Sequence, residues 1–423
     1  MTLRQATAGR SLRRIIPDVE FGSPATTHPS GHIPVLDGVR GLAILLILIY
    51  HFTLGMSGRD IASRLLAKGT SAGWCGVDLF FVLSGFLITS ILVDAKDRPR
   101  RFRNFYARRA LRIFPLYYGT LAAVFALLPW LNAWVGGFAG VEEAGIWLAL
   151  YGTNVLAALR GEWFPLSHFW SLAVEEHYYM FWPAVVFWCG RKTAMRICAA
   201  MVVLALAVRA WLVSQNLVLA AYCLTVCRID ALAVGSFLAL AARGPGGVRG
   251  LVPLAGKISL TGTIALLALI GWRSGLSLTD PVVQTVGYVL LDLVFAGSLA
   301  LVLGLPPSSL TAVFLNAPLL RWFGRYSYGL YVYNSIFILV AEGLSLLPRL
   351  VDWTGSPTAG RLLYFILAAS CTLATSWLSW HLFEKQFLKL KRHFPSGSAT
   401  RPVEVRRSNA TGHGRRMDRT GMG

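Results

Sequence analysis

Apolar runs of about 16–23 residues recur along the whole chain, separated by short stretches rich in Arg, Gly and Pro. As a helix, such a run matches the hydrocarbon thickness of a bilayer. Composition agrees: 55% of the residues are hydrophobic, only 14% are charged, and the mean hydropathy is +0.57. A soluble protein carries nearer a quarter charged residues. The chain is therefore expected to be an all-α, polytopic membrane protein. The runs predict about ten transmembrane helices, over 35–55, 73–93, 110–131, 168–190, 194–213, 222–242, 254–272, 282–304, 326–347 and 362–384.

Charge orients the spans. With ten crossings and both termini cytoplasmic, the inner segments collect about thirty of the 40 Lys and Arg residues, as the positive-inside bias requires. An eleventh apolar stretch, 144–159, is short and interrupted by Gly152, Thr153 and Asn154. Counting it as a crossing would place the basic tail outside, so it is expected to be an outer half-helix or re-entrant piece. Three segments follow: a disordered cytoplasmic stretch over 1–33, a transmembrane domain over 34–390 and a basic disordered tail over 391–423. The net charge of +20 is then explained by cytoplasmic loops facing anionic lipid, without nucleic acid. The six cysteines lie at irregular spacing with no His partner or second pair, so neither a metal site nor a cofactor is expected.

Against this apolar background a few ionisable residues stand out, because charge near a bilayer centre is costly. In "LDGVRGLAILLILIYHF" (36–52), Arg40 and His51 are eleven positions apart. That step turns a helix to within roughly 20° of three full turns, so both side chains share one face, about 16 Å apart. Asp37 precedes them. "HFWSLAVEEHYYMFWP" (168–183) carries Glu175 and Glu176, "CRIDALAVG" (227–235) carries Arg228 and Asp230, and "YSYGLYVYN" (326–334) ends in Asn334. The predicted topology puts His51, the two glutamates, Arg228 and Asp230 in the outer half of the membrane, with Asp37 and Arg40 near the cytoplasmic edge. Two pairs suggest themselves: Arg228 with Asp230 as a helix-registering ion pair, and His51 with Glu175. A histidine supported by a carboxylate suits a general base, and it equally suits a proton relay in a transporter.

On the cytoplasmic side, "RPRRFRNFYARRALRIFPLYY" (98–118) is dense in arginine. Some of these residues anchor the span. Arg109 and Arg112, three apart on one face, have in addition the form of a clamp for a phosphorylated cytosolic donor, since guanidinium forks pair well with phosphate. The glycine-broken stretch "GWCGVDLFFVLSGFLITSIL" (73–92) suggests close helix packing; its Ser84 lacks the surroundings of a nucleophile.

Taken in order, "LDGVRGLAILLILIYH", "GVDLFFVLSGFLIT", "FYARRALRIFPLYY", "FWSLAVEEHYYMFWP", "CRIDALAVGSFLAL" and "GRYSYGLYVYN" resemble the acyltransferase 3 family of bacterial membrane acyltransferases. The resemblance spans residues 34–390. It implies a multi-pass protein of the bacterial cytoplasmic membrane that moves an acyl group, usually acetyl, from cytosolic acyl-CoA to a hydroxyl of a carbohydrate. By this resemblance His51 maps to the catalytic histidine, Arg40 to its motif partner, Arg109 and Arg112 to donor binding, and Glu175 to the motif carboxylate, with Glu176 as second choice. Asp37, Arg228, Asp230 and Asn334 form a substrate or structural polar layer. Asn334 stands where many members carry histidine, and Gln386 replaces the proline common after the last-span glutamate, Glu384. Only the basic tail follows the spans, so transfer is expected in the membrane domain or through a separate partner. A proton-coupled exporter of a sugar lipid or glycan is the alternative; it has no need of a cytosolic arginine clamp.

Overall fold

The computed structural model describes residues 33–53 and 68–395. The expectations for the two flanking segments fall outside these residues, apart from Ile33 and the start of the tail. Helices account for most of the described residues, and no strand occurs among them. In chain order they are α1 (Pro34–Thr53), α2 (Gly76–Ala95), α3 (Arg101–Trp134), the short α4 (Gly145–Ala149) and α5 (Thr153–Arg160), and α6 (Trp170–Trp188). Next come α7 (Arg191–Ser214), α8 (Val218–Cys223), α9 (Thr225–Ala241), α10 (Gly247–Arg273) and α11 (Tyr288–Gly304). The chain closes with α12 (Leu310–Leu315), α13 (Pro318–Gly343), α14 (Leu346–Thr354), α15 (Pro357–Ser379) and α16 (Lys385–Lys389). Helix throughout is the physical consequence of lipid, which offers backbone groups no partners.

Eight of the described helices are long and apolar enough to cross a membrane, or nine when α13 and α14, bent by 65° at their junction, count as one broken span. The expected fourth span is α6, a continuous helix whose Glu175, Glu176 and His177 leave it more polar than those eight. The expected third span proves longer: α3 runs for 34 residues and carries the arginine run from Arg101 onward on helix. Stretch 144–159 is not one helix long enough to span. It breaks at 150–152 into α4 and α5, and Tyr117 and Tyr118 of α3 donate hydrogen bonds to Leu148 O (2.7 Å) and Ala149 O (3.0 Å) at the end of α4.

Two crossings position the site, and glycine sets both. A Cβ at Gly41 of α1 would lie 1.9 Å from Leu320 O of α13, and one at Gly324 of α13 would lie 1.8 Å from Asp37 O. Backbone therefore meets backbone between α1 and α13. The same holds for α2 and α9, where Cβ atoms at Gly85 and Gly235 would fall 2.0 Å from Leu232 O and 1.9 Å from Val82 O. Small residues at helix contacts allow this approach where lipid supplies no hydrophobic drive. The first crossing carries Asn334 of α13 to His51 of α1. The second carries Arg228 of α9 to Asp78 of α2.

Candidate active site

Arg40 of α1, Arg109 and Arg112 of α3, and Glu175 of α6 line one cavity of about 180 Å³. Five helices build it, because α2 contributes Ser84 and α13 contributes Tyr328 and Tyr331. Arg109 and Arg112, three apart on α3, both project inward, as their spacing requires. The Arg109 guanidinium stacks 4.0 Å from the centroid of the Tyr179 ring, and the Tyr179 hydroxyl hydrogen-bonds Ser84. Arg40 is tied to Asp37 across one helical turn at 3.5 Å. Three guanidiniums and the carboxyl of Glu175 line the cavity, with Asp37 on Arg40, Glu176 near Arg109 and Glu384 near Arg112 supplying further negative charge. Arg109 Nε and Glu176 Oε1, both buried, have no hydrogen-bond partner among the described residues.

His51 is held elsewhere. Its Nδ1 lies 2.7 Å from Asn334 Oδ1, not on Glu175, and its α1 neighbour one turn back, Ile47, lines the cavity. Glu175 sits instead beside Arg109, Ser84 and Tyr179. The expected His51–Glu175 pair is thus not formed: His51 meets Asn334, and Glu175 lies within the electrostatic reach of Arg109. Helix periodicity explains why: α6 points Glu175 toward α3 and α2, while α13 packs flush against α1. Tyr331 ties the two parts together. Its hydroxyl donates to His168 O and accepts from Ser171, 2.6 Å away, and its ring faces the cavity.

The second expected pair also resolves differently. Arg228 bonds to Asp78 and not to Asp230, which pairs with Arg209. All four side chains are at most 2% exposed, so each charge is matched across helices, α9 to α2 and α9 to α7. Arg228 Cζ also sits 4.4 Å from the Tyr288 ring centroid. Asp292, 2% exposed, completes a buried layer of three carboxyl groups and two guanidiniums. Sequence reasoning passed over Arg209, Asp292 and Tyr179. A lone charge inside "LALAVRAWLV" or "YVLLDLVF" is the signal that marks the first two. Among the described residues, no group of His, Cys, Asp and Glu is disposed to hold a metal ion, and all six cysteines are free thiols.

The fold is thus a helical membrane bundle that encloses an arginine-lined, carboxylate-bearing cavity close to a half-buried histidine. The chain belongs to the acyltransferase 3 family, whose acyltransferase-domain model matches residues 33–381. It is 28% identical over 326 residues to the peptidoglycan O-acetyltransferase OatA of Listeria monocytogenes, covering 73% of this chain and 50% of that protein. It is 27% identical over 393 residues to the putative peptidoglycan O-acetyltransferase YrhL of Bacillus subtilis, covering 84% of this chain and 54% of that one. A putative O-acetyltransferase of Staphylococcus aureus, SACOL0978, is 32% identical over 164 residues, 37% of this chain and 25% of its own. The chain thus spans about half the length of the first two relatives. No solved structure matches it.

Proposed function

We propose that the protein transfers an acetyl group from cytosolic acetyl-CoA to a hydroxyl of a cell-envelope carbohydrate, with a peptidoglycan-type glycan as the acceptor class that its relatives suggest. The observation that carries this reading is the convergence of Arg40, Arg109 and Arg112 on one cavity that reaches within a helical turn of His51. Arg109 and Arg112 take the donor's phosphates from the cytoplasmic side, where guanidinium forks are matched to phosphate oxygens. Arg40 lines the path of the acyl arm. Glu175 keeps Arg109 in place and offsets repulsion among the three cations.

The thioester carbon then comes to lie near His51. His51 accepts the proton of the acceptor hydroxyl as that oxygen attacks the thioester carbonyl. The tetrahedral adduct collapses, the C–S bond breaks, and the imidazolium returns its proton to the departing thiolate. Proton transfer by a positioned histidine contributes about 10²–10⁴ to such a rate. This orientation puts both chain termini and the arginine-rich end of α3 in the cytoplasm and the acceptor on the outer side.

The test uses inverted membrane vesicles, so that labelled acetyl-CoA reaches the cytoplasmic face. Label entering the glycan fraction with wild type and absent with His51→Ala supports the proposal. Equal incorporation by the two proteins removes His51 from the chemistry. No incorporation by either, while a glycan still crosses the membrane, favours an exporter.

A further inference from the structure

We infer that Asn334 is a positioning residue that fixes the tautomer of His51, holding the proton on Nδ1 and leaving the Nε2 lone pair free. The inference rests on the reading of His51 as the base. It starts from the amide of Asn334, which is fully buried. Its Nδ2 donates to two backbone carbonyls of its own helix, Leu330 O at 2.9 Å and Tyr331 O at 2.6 Å. Both amide protons are therefore in use. The reversed amide would aim Oδ1 at those two carbonyl oxygens, acceptor against acceptor, and leave three buried oxygens without a proton among them. The backbone of α13 thus decides which end of the side chain meets the imidazole.

That end is Oδ1, 2.7 Å from His51 Nδ1. An amide oxygen only accepts, so the ring nitrogen facing it must carry the proton. In a neutral imidazole the other nitrogen, Nε2, is then unprotonated and available as base. Ser335 Oγ adds a second donor to the same oxygen at 3.2 Å. A partner that holds a catalytic imidazole in one tautomer and orientation is worth orders of magnitude in rate when its loss leaves the wrong nitrogen protonated. Asparagine does this without adding a charge to the membrane interior. It also binds Tyr331 O, in the same residue whose ring faces the donor cavity, so the imidazole is indexed to the donor site through one turn of α13.

The experiment reads the tautomer directly and the rate separately. The full-length protein, with ¹⁵N-labelled histidine and in lipid, is studied by solid-state NMR; the resonances missing from His51→Ala identify His51. The expected result is a neutral ring protonated on Nδ1. A wild-type ring protonated on Nε2 overturns the inference whatever any variant does. Acetyl transfer by Asn334→Leu is expected to fall about a hundredfold in kcat, with KM for acetyl-CoA near wild type. Its His51 signal is expected to move to the Nε2-protonated form. Asn334→Asp keeps an oxygen facing Nδ1 but sets its second oxygen against Leu330 O and Tyr331 O, so it is expected to keep the Nδ1 proton and recover only part of the rate. A leucine variant with undiminished kcat, or with a slow rate and an unmoved tautomer, overturns the positioning role. Should His51→Ala retain full transfer, the base reading falls, while the tautomer assignment is still decided by the wild-type spectrum.

Discussion

The guanidinium of Arg109 lies face-on to the ring of Tyr179, 4.0 Å from its centroid, inside the cavity that also holds Glu175. The stack joins α3 to α6 and holds a flexible cation at one position before any ligand arrives. A desolvated cation–π contact contributes about 2 kcal/mol. Tyr179→Leu is therefore expected to raise KM for acetyl-CoA roughly tenfold or more with little change in kcat. Tyr179→Phe, which keeps the ring and loses the hydroxyl that meets Ser84, Glu175 and Arg109, is expected to cost less. Kinetics in inverted vesicles separate the two.

On the proposed donor site, charge alone would not make Arg109 and Arg112 a phosphate clamp. Lysine keeps the cation at Arg109 or Arg112 but loses the planar fork that meets two phosphate oxygens at once. Arg109→Lys and Arg112→Lys are each expected to raise KM for acetyl-CoA by about tenfold, the worth of one charge-assisted hydrogen bond. Dephospho-CoA thioester as donor would show a smaller difference between wild type and variant if the phosphate it lacks is the one held.

The buried ion pairs of α9 predict a stability pattern independent of activity. Removing one partner leaves a buried charge uncompensated, at a cost of about 3–5 kcal/mol. Asp230→Asn, which strands Arg209, is expected to lower thermal stability in detergent sharply. Replacing both, Arg209→Met with Asp230→Leu, is expected to recover most of it. Full loss in the double variant would mean that the pair does more than neutralise itself.

Asp292 behaves as the odd member of that layer. Two guanidiniums serve Asp78 and Asp230, and Asp292 Oδ1 has no hydrogen-bond partner among the described residues. Asp292→Asn, neutral and isosteric, is expected to leave thermal stability within about 1 kcal/mol of wild type or raise it. A loss as large as that of Asp230→Asn would show that its charge is needed.

Close backbone contact between α2 and α9 gives a steric prediction. A methyl at Gly235 would meet Val82 O at 1.9 Å, and neither helix backbone can yield without moving the other. Gly235→Ala is expected to destabilise by about 1–3 kcal/mol or more, the usual cost of overpacking, measured as the midpoint of thermal unfolding in detergent. Gly250→Ala, with nothing within 4 Å, serves as the control.

Much of the fold was legible in the chain because lipid leaves few choices. Length and apolarity mark most spans, and α6, expected over 168–190, is a helix that falls below the apolarity of the others. In α6, Glu175, Glu176 and His177 lower the hydropathy of a helix that is nonetheless buried in the bundle, with Val174 and Tyr178 fully covered. The extra turns of α3 were not visible either, because a run of arginines reads as a loop until it is seen to continue a helix. The arginine pair was legible for a local reason: residues three apart on a helix must share a face.

Partners were another matter. Sequence spacing along α1 put Arg40 and His51 on one stripe, and nothing beyond α1 was needed to see it. That Glu175 meets Arg109, that Asn334 and not a carboxylate meets His51, and that Arg228 reaches Asp78 while Arg209 takes Asp230 were decided only by the tertiary structure. The reason is physical. Residue type and helical period fix the face on which a charge lies, whereas the neighbour it meets depends on which helices cross and how closely, and here that is set by glycine contacts such as Gly41 on Leu320 and Gly85 on Leu232.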